Sequence, residues 1–152
     1  MIAENESLEY TLQRLAYGEA AASTQYRMAY IARKAEGVAD NDFLLEHFKE
    51  HEEDEWKHYQ MIAEYLRYKG ILLELDIQGM YDKALPPTVE LGDSDEESLA
   101  EFFFSAEQDA VDTYYEILDE VRDVKLAKVI KSIIADEEEH EGDFAEYLED
   151  YR

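Results

Sequence analysis

Apolar side chains recur along most of this chain at alternating intervals of three and four residues. This spacing places side chains on one face of an α-helix. The spacing appears in four segments. In each segment the apolar line is interrupted by a few glutamate, histidine or tyrosine residues. The four inner lines run from Leu8 to Ala29, from Leu44 to Leu66, from Leu99 to Val121 and from Leu126 to Tyr151. The pattern therefore predicts four long helices, each with one face turned inward.

Glycines and short polar residues mark the expected helix ends. The first helix is predicted over residues 5–37 and the second helix up to Gly70, because glycine readily adopts the left-handed conformation that ends a helix. Aspartate, asparagine and serine favour the N-cap position. The predicted N-caps of the later helices are Asp40 or Asn41, Ser94 or Asp95, and Asp123. The last helix is expected to reach Tyr151.

Residues 71–93 interrupt this periodicity. They contain the only two prolines of the chain, Pro86 and Pro87, together with two glycines. Such a segment favours a long crossover over a tight turn, so the second and third helices are expected to run parallel. We therefore predict an all-α fold, a four-helix bundle with one long crossover between the second and third helices, forming a single domain over residues 1–152.

Composition narrows the possible chemistry. The chain has 152 residues, 46% of them hydrophobic, with no cysteine and a formal net charge of −25. Without thiolates, a metal site would have to use oxygen and nitrogen ligands. The negative charge disfavours nucleic acid and anionic lipid as partners, and no basic signal segment or membrane span is evident. The negative charge is explained equally well by solubility or adaptation to a salty cytoplasm and by attraction of metal cations.

Six ionisable residues fall on the predicted inner faces. Two helices each carry the motif Glu-x-x-His, whose two side chains share a helix face. The other two helices each carry one glutamate in the apolar line. The six residues are Glu19, Glu55, His58, Glu107, Glu137 and His140. Burying them costs several kcal/mol per uncompensated ion, and no lysine or arginine occupies the inner lines to pair with them.

Two divalent metal ions would neutralise the four glutamates, and carboxylate and imidazole suit iron, manganese or zinc. From the spacing, Glu19 and Glu107 are expected to be terminal ligands and Glu55 and Glu137 bridging ligands, with one histidine for each metal. The alternative reading is a metal-free buried polar network, or exposed charges on helices placed wrongly.

Other residues are candidates for supporting roles. Asp54 and Asp136 precede the motif glutamates and could orient the histidines, although solvated charges would look the same. His51 could be an accessory ligand or part of an iron path, or simply a partly buried helix residue. Tyr26 and Tyr114 each lie seven residues after a predicted terminal glutamate, where a phenol could donate an electron or a hydrogen bond. His47 is expected at the surface.

These motifs resemble the bacterioferritin branch of the ferritin-like superfamily over nearly the whole chain. The resemblance lies in Glu19 followed by Gln25 and Tyr26, in the segments 54–58 and 136–140, and in the position of Glu107. It implies a ferritin-like bundle and a di-iron ferroxidase that binds two Fe(II), oxidises them with O2 or hydrogen peroxide and passes Fe(III) to a mineral. It also implies a redox role for Tyr26.

The chain departs from that branch at two points, and from the related rubrerythrins at a third. Trp56 stands where bacterioferritins carry a haem-ligating methionine, so haem is not expected. The chain ends soon after His140, without the length for a fifth helix, which puts a 24-subunit shell in doubt. Rubrerythrins add a second glutamate in the third helix, where this chain has Ala110.

The sequence thus predicts a cytoplasmic, homo-oligomeric ferroxidase that stores or detoxifies iron. The alternative is a small di-iron or Mn/Fe oxygenase or oxidase that keeps its metals. An apolar tunnel, for which the segment 102–104 and the tyrosines are candidate walls, would favour the alternative. A carboxylate or histidine path would favour iron handling. A metal-free structural bundle is the third possibility.

Overall fold

The computed structural model describes residues 7–73, 78 and 95–150, and their fold is all-α. The four helices are α1 (Leu8–Ala35), α2 (Phe43–Tyr68), α3 (Glu96–Glu120) and α4 (Val124–Asp150). The all-α prediction and the four-helix bundle are confirmed. Most of the predicted crossover, and Tyr151 at the end of the last inner line, lie outside the described residues. None of the described helices is long and apolar enough to span a membrane.

Side-chain caps explain where the helices begin. Ser7 caps α1, so this helix starts at Leu8 rather than at residue 5. The prediction of Asp40 or Asn41 as the cap of α2 was wrong. Both residues lie in a turn closed by the Asp42 N–H donating to the Ala39 carbonyl, and the Asp42 side chain accepts from the Leu45 N–H. The other two predicted caps hold, because Asp95 accepts from Ser98 and Asp123 accepts from Lys125 and Leu126.

Two glycines close the first two helices as predicted. Gly37 and Gly70 both have φ of 85°, the left-handed conformation in which a side chain would be strained. The residue after each glycine donates back to the helix, Val38 to the Arg33 carbonyl and Ile71 to the Leu66 carbonyl. This pattern satisfies the last carbonyl groups of α1 and α2.

Contacts between helices give their directions. Glu19 in α1 contacts His58 of α2, and Ser23, further along α1, donates to the carbonyl of the earlier residue Glu52, so α1 and α2 are antiparallel. Glu19 accepts from Tyr114 of α3, and Tyr26 donates to the earlier residue Glu107, so α1 and α3 are also antiparallel. Helices α2 and α3 therefore run parallel, as a long crossover requires. Helix α4 is antiparallel to both. His51 contacts Asp143 and the later His58 contacts the earlier Asp136, so α2 and α4 run in opposite directions. The contacts of Glu96 with Tyr147 and of Tyr115 with Glu138 show the same for α3 and α4.

The bundle core is divided by a layer of ionisable side chains into two apolar clusters. The aliphatic cluster comprises Leu12, Ala16, Ile62, Tyr65, Leu66, Tyr114, Ile117, Leu126, Ile130, Ile133 and Ile134. The aromatic cluster comprises Tyr26, Ala29, Leu44, Phe48, Leu99, Ala100, Phe103, Phe144 and Tyr147. Burial of these side chains is the main favourable contribution to folding, and it fixes the helices that carry the layer between them.

The predicted inner face of α2 is buried throughout, but the faces of α1 and α3 differ slightly from prediction. In α3 it is Val111 rather than Ala110 that enters the core. Ala110, together with Leu15 and Ala22 of α1, is only partly buried and lines a cavity between these two helices. The small side chains of Ala22 and Ala110 leave room that a closely packed core would have filled.

Candidate metal centre

All six ionisable residues predicted from the inner lines meet in the central layer. Each is at least 95% buried, and each of the four helices contributes at least one. The two Glu-x-x-His motifs come from α2 and α4, and the single glutamates from α1 and α3. The predicted convergence of these residues is therefore observed in the structure.

The first half of the centre is built around His58. Its Nδ1 lies 2.9 Å from Glu137 Oε1, 3.3 Å from Glu19 Oε2 and 3.5 Å from Glu55 Oε1. One ligand atom from each of these four residues can be chosen so that all lie within 4.8 Å of one another. This spacing fits ligands around a single metal ion.

The second half is built around His140. Its Nδ1 lies 3.2 Å from Glu55 Oε1 and 3.5 Å from Glu107 Oε1. Together with Glu137 these residues form a second group whose ligand atoms lie within 4.8 Å of one another. Glu55 and Glu137 belong to both groups, whereas Glu19 and Glu107 each belong to one of these two halves.

Several fully buried polar atoms in the centre have close polar neighbours but form no hydrogen bond of good geometry. They are Glu55 Oε1, Glu107 Oε2, Glu137 Oε1 and His140 Nδ1. Buried polar atoms are rarely left unpaired in native proteins, because desolvation costs about 1–3 kcal/mol for each. Carboxylate oxygens and imidazole nitrogens are ligands for iron, manganese and zinc. These residues can therefore hold metal ions.

Each motif histidine is oriented by the aspartate of the opposite helix. His58 of α2 contacts Asp136 of α4 through Nε2, at 2.8 Å, and His140 of α4 contacts Asp54 of α2 through Nε2, at 2.9 Å. A carboxylate on one ring nitrogen fixes the ring and leaves the other nitrogen for a metal. In both histidines that other nitrogen, Nδ1, faces the centre.

Two tyrosines hold the single glutamates by the same crossed arrangement. Tyr26 of α1 donates to Glu107 of α3, and Tyr114 of α3 donates to Glu19 of α1. Burial and the neighbouring carboxylates raise the pKa values of both phenols well above 10, so both remain hydrogen-bond donors. Tyr26 therefore lies in the centre, as its spacing predicted, but its partner is the glutamate of the opposite helix.

A third buried histidine adjoins the second half of the centre. His51 stacks on the ring of His140, with centroids 3.8 Å apart, and its Nε2 lies 3.0 Å from Asp143. Burial lowers the pKa of His51 to about 4, so its ring is neutral at pH 7. His47 is mostly buried rather than at the surface, because it packs on Phe43 and lies 3.6 Å from Asp143.

Charges within the layer strongly perturb its protonation. Burial and the surrounding glutamates raise the pKa values of Glu55 and Glu137 well above the ordinary range. Burial alone would lower the pKa of His58, but hydrogen bonds to Glu137 and Glu19 raise it to about 10. Burial likewise opposes protonation of His140, but Asp54, Glu107 and Glu55 raise its pKa. The metal-free centre thus retains protons, which metal binding must release.

A cavity of about 290 Å³ lies between α1 and α3 and reaches the centre. Its inner end is formed by the ligand glutamates and both tyrosines. Its wall is mainly small and apolar, and the residues away from the ligands are Leu15, Gly18, Ala22, Gln25, Phe103, Ala106, Asp109, Ala110 and Thr113. The cavity is large enough for O2, hydrogen peroxide or a small organic molecule.

Comparison with known proteins agrees with this architecture. A family model described as a ferritin-like domain matches residues 10–152. The chain belongs to the ferritin-like family. Among solved structures, this ferritin-like chain is similar to a dodecameric thioferritin, the bacterioferritin-related protein from Bacteroides fragilis, at 27% identity and a TM-score of 0.66. That match covers 92% of this chain and 87% of the other. A search of curated proteins found no significant match.

Sequence reasoning missed Asp143, the partner of His51. A signal for it was present, because Asp143 follows His140 by three residues and so shares its helix face. The crossed pairing of aspartates and tyrosines also escaped prediction. Spacing within one helix shows which face a residue occupies, but it does not show which residue of another helix it will meet.

Proposed function

We propose that this ferritin-like protein is a ferroxidase that binds two Fe(II) in the central layer and oxidises them with O2 or hydrogen peroxide. The observation that carries the proposal is the pair of ligand groups that share Glu55 and Glu137. Sharing two carboxylates brings two metal positions close together. Two Fe(II) then supply the two electrons that convert O2 to hydrogen peroxide, or hydrogen peroxide to water.

In this proposal the chain contributes binding, orientation and proton exchange. Glu19 and Glu107 are terminal ligands, Glu55 and Glu137 bridging ligands, and His58 and His140 supply one nitrogen to each iron. Asp54 and Asp136 hold the histidine rings in place. The buried layer excludes bulk water, while the acidic surface raises the local concentration of Fe(II). Manganese or zinc could occupy the same ligands.

Tyr26 is proposed as a redox-active side chain. Its hydroxyl is bonded to the terminal ligand Glu107, and its ring stacks on Phe103 with centroids 4.3 Å apart. In this proposal the Tyr26 phenol would supply one electron to the oxidant, in addition to those from Fe(II), and pass its proton to the Glu107 carboxylate. Tyr114 occupies the equivalent place in the other half.

The cavity between α1 and α3 supports the alternative function, an oxygenase or oxidase that keeps its metals. Its mainly apolar wall includes Phe103, one of the aromatic residues expected to line a substrate tunnel. The side chains of His51, Asp143 and His47 favour iron handling instead, because they form a polar path from the centre between α2 and α4. We rank the ferroxidase first because this path consists of residues that can bind iron.

The comparisons also support assembly into a homo-oligomer, since the related protein from Bacteroides fragilis is a dodecamer. Assembly would allow iron oxidised in each subunit to collect in a shared interior for storage or detoxification. We place this single-domain protein in the cytoplasm, with no haem, nucleic acid or membrane partner.

The test is aerobic Fe(II) addition to metal-free protein, with the oxidation rate followed optically and the retained iron counted after gel filtration. Glu137→Gln removes a proposed bridging ligand. The matched control is Glu138→Gln, the same change at the next, exposed residue. We expect rapid oxidation in the wild type and control and its loss in Glu137→Gln.

Equal oxidation rates in wild type and Glu137→Gln would contradict the ferroxidase proposal. The retained iron separates the two candidate functions. Retention far beyond two ions per chain, in a large particle, supports storage, whereas saturation at about two per chain favours the oxygenase or oxidase.

A further inference from the structure

The centre has an internal two-fold resemblance that relates α1 and α2 to α3 and α4. Each ligand and each supporting residue has a counterpart of the same type in the other half. The pairs are Glu19 with Glu107, Tyr26 with Tyr114, Asp54 with Asp136, Glu55 with Glu137, and His58 with His140. Any buried polar residue without such a counterpart requires a separate explanation.

His51 is such a residue. It precedes the bridging-type Glu55 by four positions, and the equivalent position before Glu137 is Ile133. Both side chains are completely buried. Isoleucine at one position shows that the fold can fill this place with an apolar side chain. A histidine there carries a desolvation cost that isoleucine avoids.

The environment of His51 repeats that of the two motif histidines. In all three rings Nε2 contacts an aspartate of the facing helix, at 2.8 Å for His58, 2.9 Å for His140 and 3.0 Å for His51. Metal-binding histidines commonly give one ring N–H to a carboxylate in this way. The contact with Asp143 leaves the lone pair of His51 on Nδ1.

That second nitrogen is buried and lacks a hydrogen-bond partner. Ligand atoms of His51, Glu107 and His140 lie within 4.8 Å of one another, a third group of the kind that can hold a metal ion. Glu107 Oε2 and His140 Nδ1 are likewise unpaired. Each of these three residues therefore has one buried atom that forms no hydrogen bond and could bind a metal ion, and all three residues belong to the His140 half of the centre.

We propose that His51 is a seventh ligand, which binds through Nδ1 to the metal on the Glu107 and His140 side and makes the two metal positions unequal. This inference rests on the dinuclear centre proposed above and extends it. The half containing His58 would offer four residues to its metal, and the half containing His140 would offer five.

The test uses Co(II), a divalent probe that accepts the same nitrogen and oxygen ligands and whose absorption spectrum reports its coordination. His51→Ile copies the residue already present at the equivalent position 133. It is made in two backgrounds, Glu19→Gln, which leaves the His140 half intact, and Glu107→Gln, which leaves the His58 half intact. Phe48→Ile is the matched control, because it removes a fully buried ring from the same helix that belongs to none of the ligand groups.

We expect His51→Ile to weaken Co(II) binding about 10- to 100-fold and to change the Co(II) spectrum in the Glu19→Gln background. In the Glu107→Gln background both the affinity and the spectrum should stay unchanged, and Phe48→Ile should leave both unchanged in either background. Asp143→Asn, which keeps the ring but loses its orienting carboxylate, should give a smaller loss in the same half. It also serves if His51→Ile does not fold, as judged by circular dichroism.

Unchanged Co(II) affinity and spectrum in the Glu19→Gln background would overturn the proposal. An equal loss in both backgrounds would also overturn it, since that result indicates a general packing role. Failure of wild-type protein to bind two Co(II) per chain would contradict the dinuclear centre itself. The two proposals can therefore fail separately.

Discussion

The two halves of the central layer have the same proposed ligands but different surroundings. On one side lie Ile62, Ile130 and Ile133 of the aliphatic cluster, and at the equivalent positions on the other side lie Phe144, Phe48 and His51. Ligand type is thus preserved across the internal two-fold relation while the packing is not. The comparison shows that the set of candidate ligands and the composition of the core vary independently here. Any difference between the two proposed metal positions must come from residues outside the six candidate ligands.

Among the changes that would test the difference between the halves, removal of a ligand common to both should reduce metal affinity the most. Glu55→Gln takes a carboxylate from both groups, so we expect both metal positions to lose more than about 100-fold in affinity. Glu19→Gln takes a carboxylate from one group only, and one position should survive. Isothermal titration with Co(II) would measure both. If Glu55→Gln kept one normal position, Glu55 would not be a bridging ligand.

The orienting aspartates should separate the halves with an intermediate effect. Because each contacts the histidine of the opposite helix, Asp54→Asn should weaken the metal beside His140 and Asp136→Asn the metal beside His58, each about 10- to 100-fold. The Co(II) affinity of each half is measured separately, in the Glu19→Gln background for the His140 half and in the Glu107→Gln background for the His58 half. The crossed arrangement would be refuted if Asp54→Asn weakened the metal beside His58, or if Asp136→Asn weakened the metal beside His140.

Loss of a tyrosine hydroxyl should have a smaller effect. Tyr26→Phe removes a hydrogen bond to Glu107, and Tyr114→Phe removes one to Glu19. A single hydrogen bond contributes about 0.5–1.5 kcal/mol, so each affected metal should bind up to about tenfold more weakly. Co(II) titration again provides the measurement. Of these two variants, Tyr26→Phe is the one expected to remove a tyrosyl radical signal from electron paramagnetic resonance spectra after Fe(II) oxidation, because the Tyr26 ring stacks on Phe103 and Phe144.

The smallest effect is expected at the outer end of the aliphatic cluster. Tyr65 donates to Asp123, 2.9 Å away, and this hydrogen bond is the main cause that lowers the pKa of Asp123. A carboxyl with a depressed pKa in the folded state stabilises the protein above its unfolded pKa of about 3.9, and this contribution is lost as the pH falls through the folded value. Burial raises the pKa of Tyr65 to about 12, so the donor persists at neutral pH.

Tyr65→Phe should therefore lower the melting temperature at pH 6 more than at pH 3. Thermal unfolding followed by circular dichroism across this range provides the test. The matched comparison is Tyr68→Phe, since Tyr68 is exposed on the same helix. A difference between wild type and Tyr65→Phe that is independent of pH would show that packing, rather than the bond to Asp123, explains the effect.

The sequence predicted the parts of the molecule that depend on spacing within one helix. The inner line of α2 from Leu44 to Leu66 is buried as expected, and all six candidate ligands lie in the layer. The cap of α2 was misplaced because Asp40, Asn41 and Asp42 are all capping residues, and only the turn from Ala39 decides between them.

Relations between helices could not be read from the chain. Side chains of α2 meet those of α4 according to the crossing of the helices, which depends on packing in both clusters. The contact between His51 and Asp143 spans 92 positions of sequence. Such contacts determine which histidine each aspartate orients, and hence the difference between the two halves.

The central claim is that the six buried residues form a dinuclear metal centre. The most direct measurement is a crystal structure of protein loaded anaerobically with Fe(II), with anomalous scattering to locate the metal. The account predicts two peaks about 3.5–4 Å apart, between Glu55 and Glu137, one beside His58 and the other beside His140. Iron found only on the acidic surface, with the six residues paired among themselves, would contradict it.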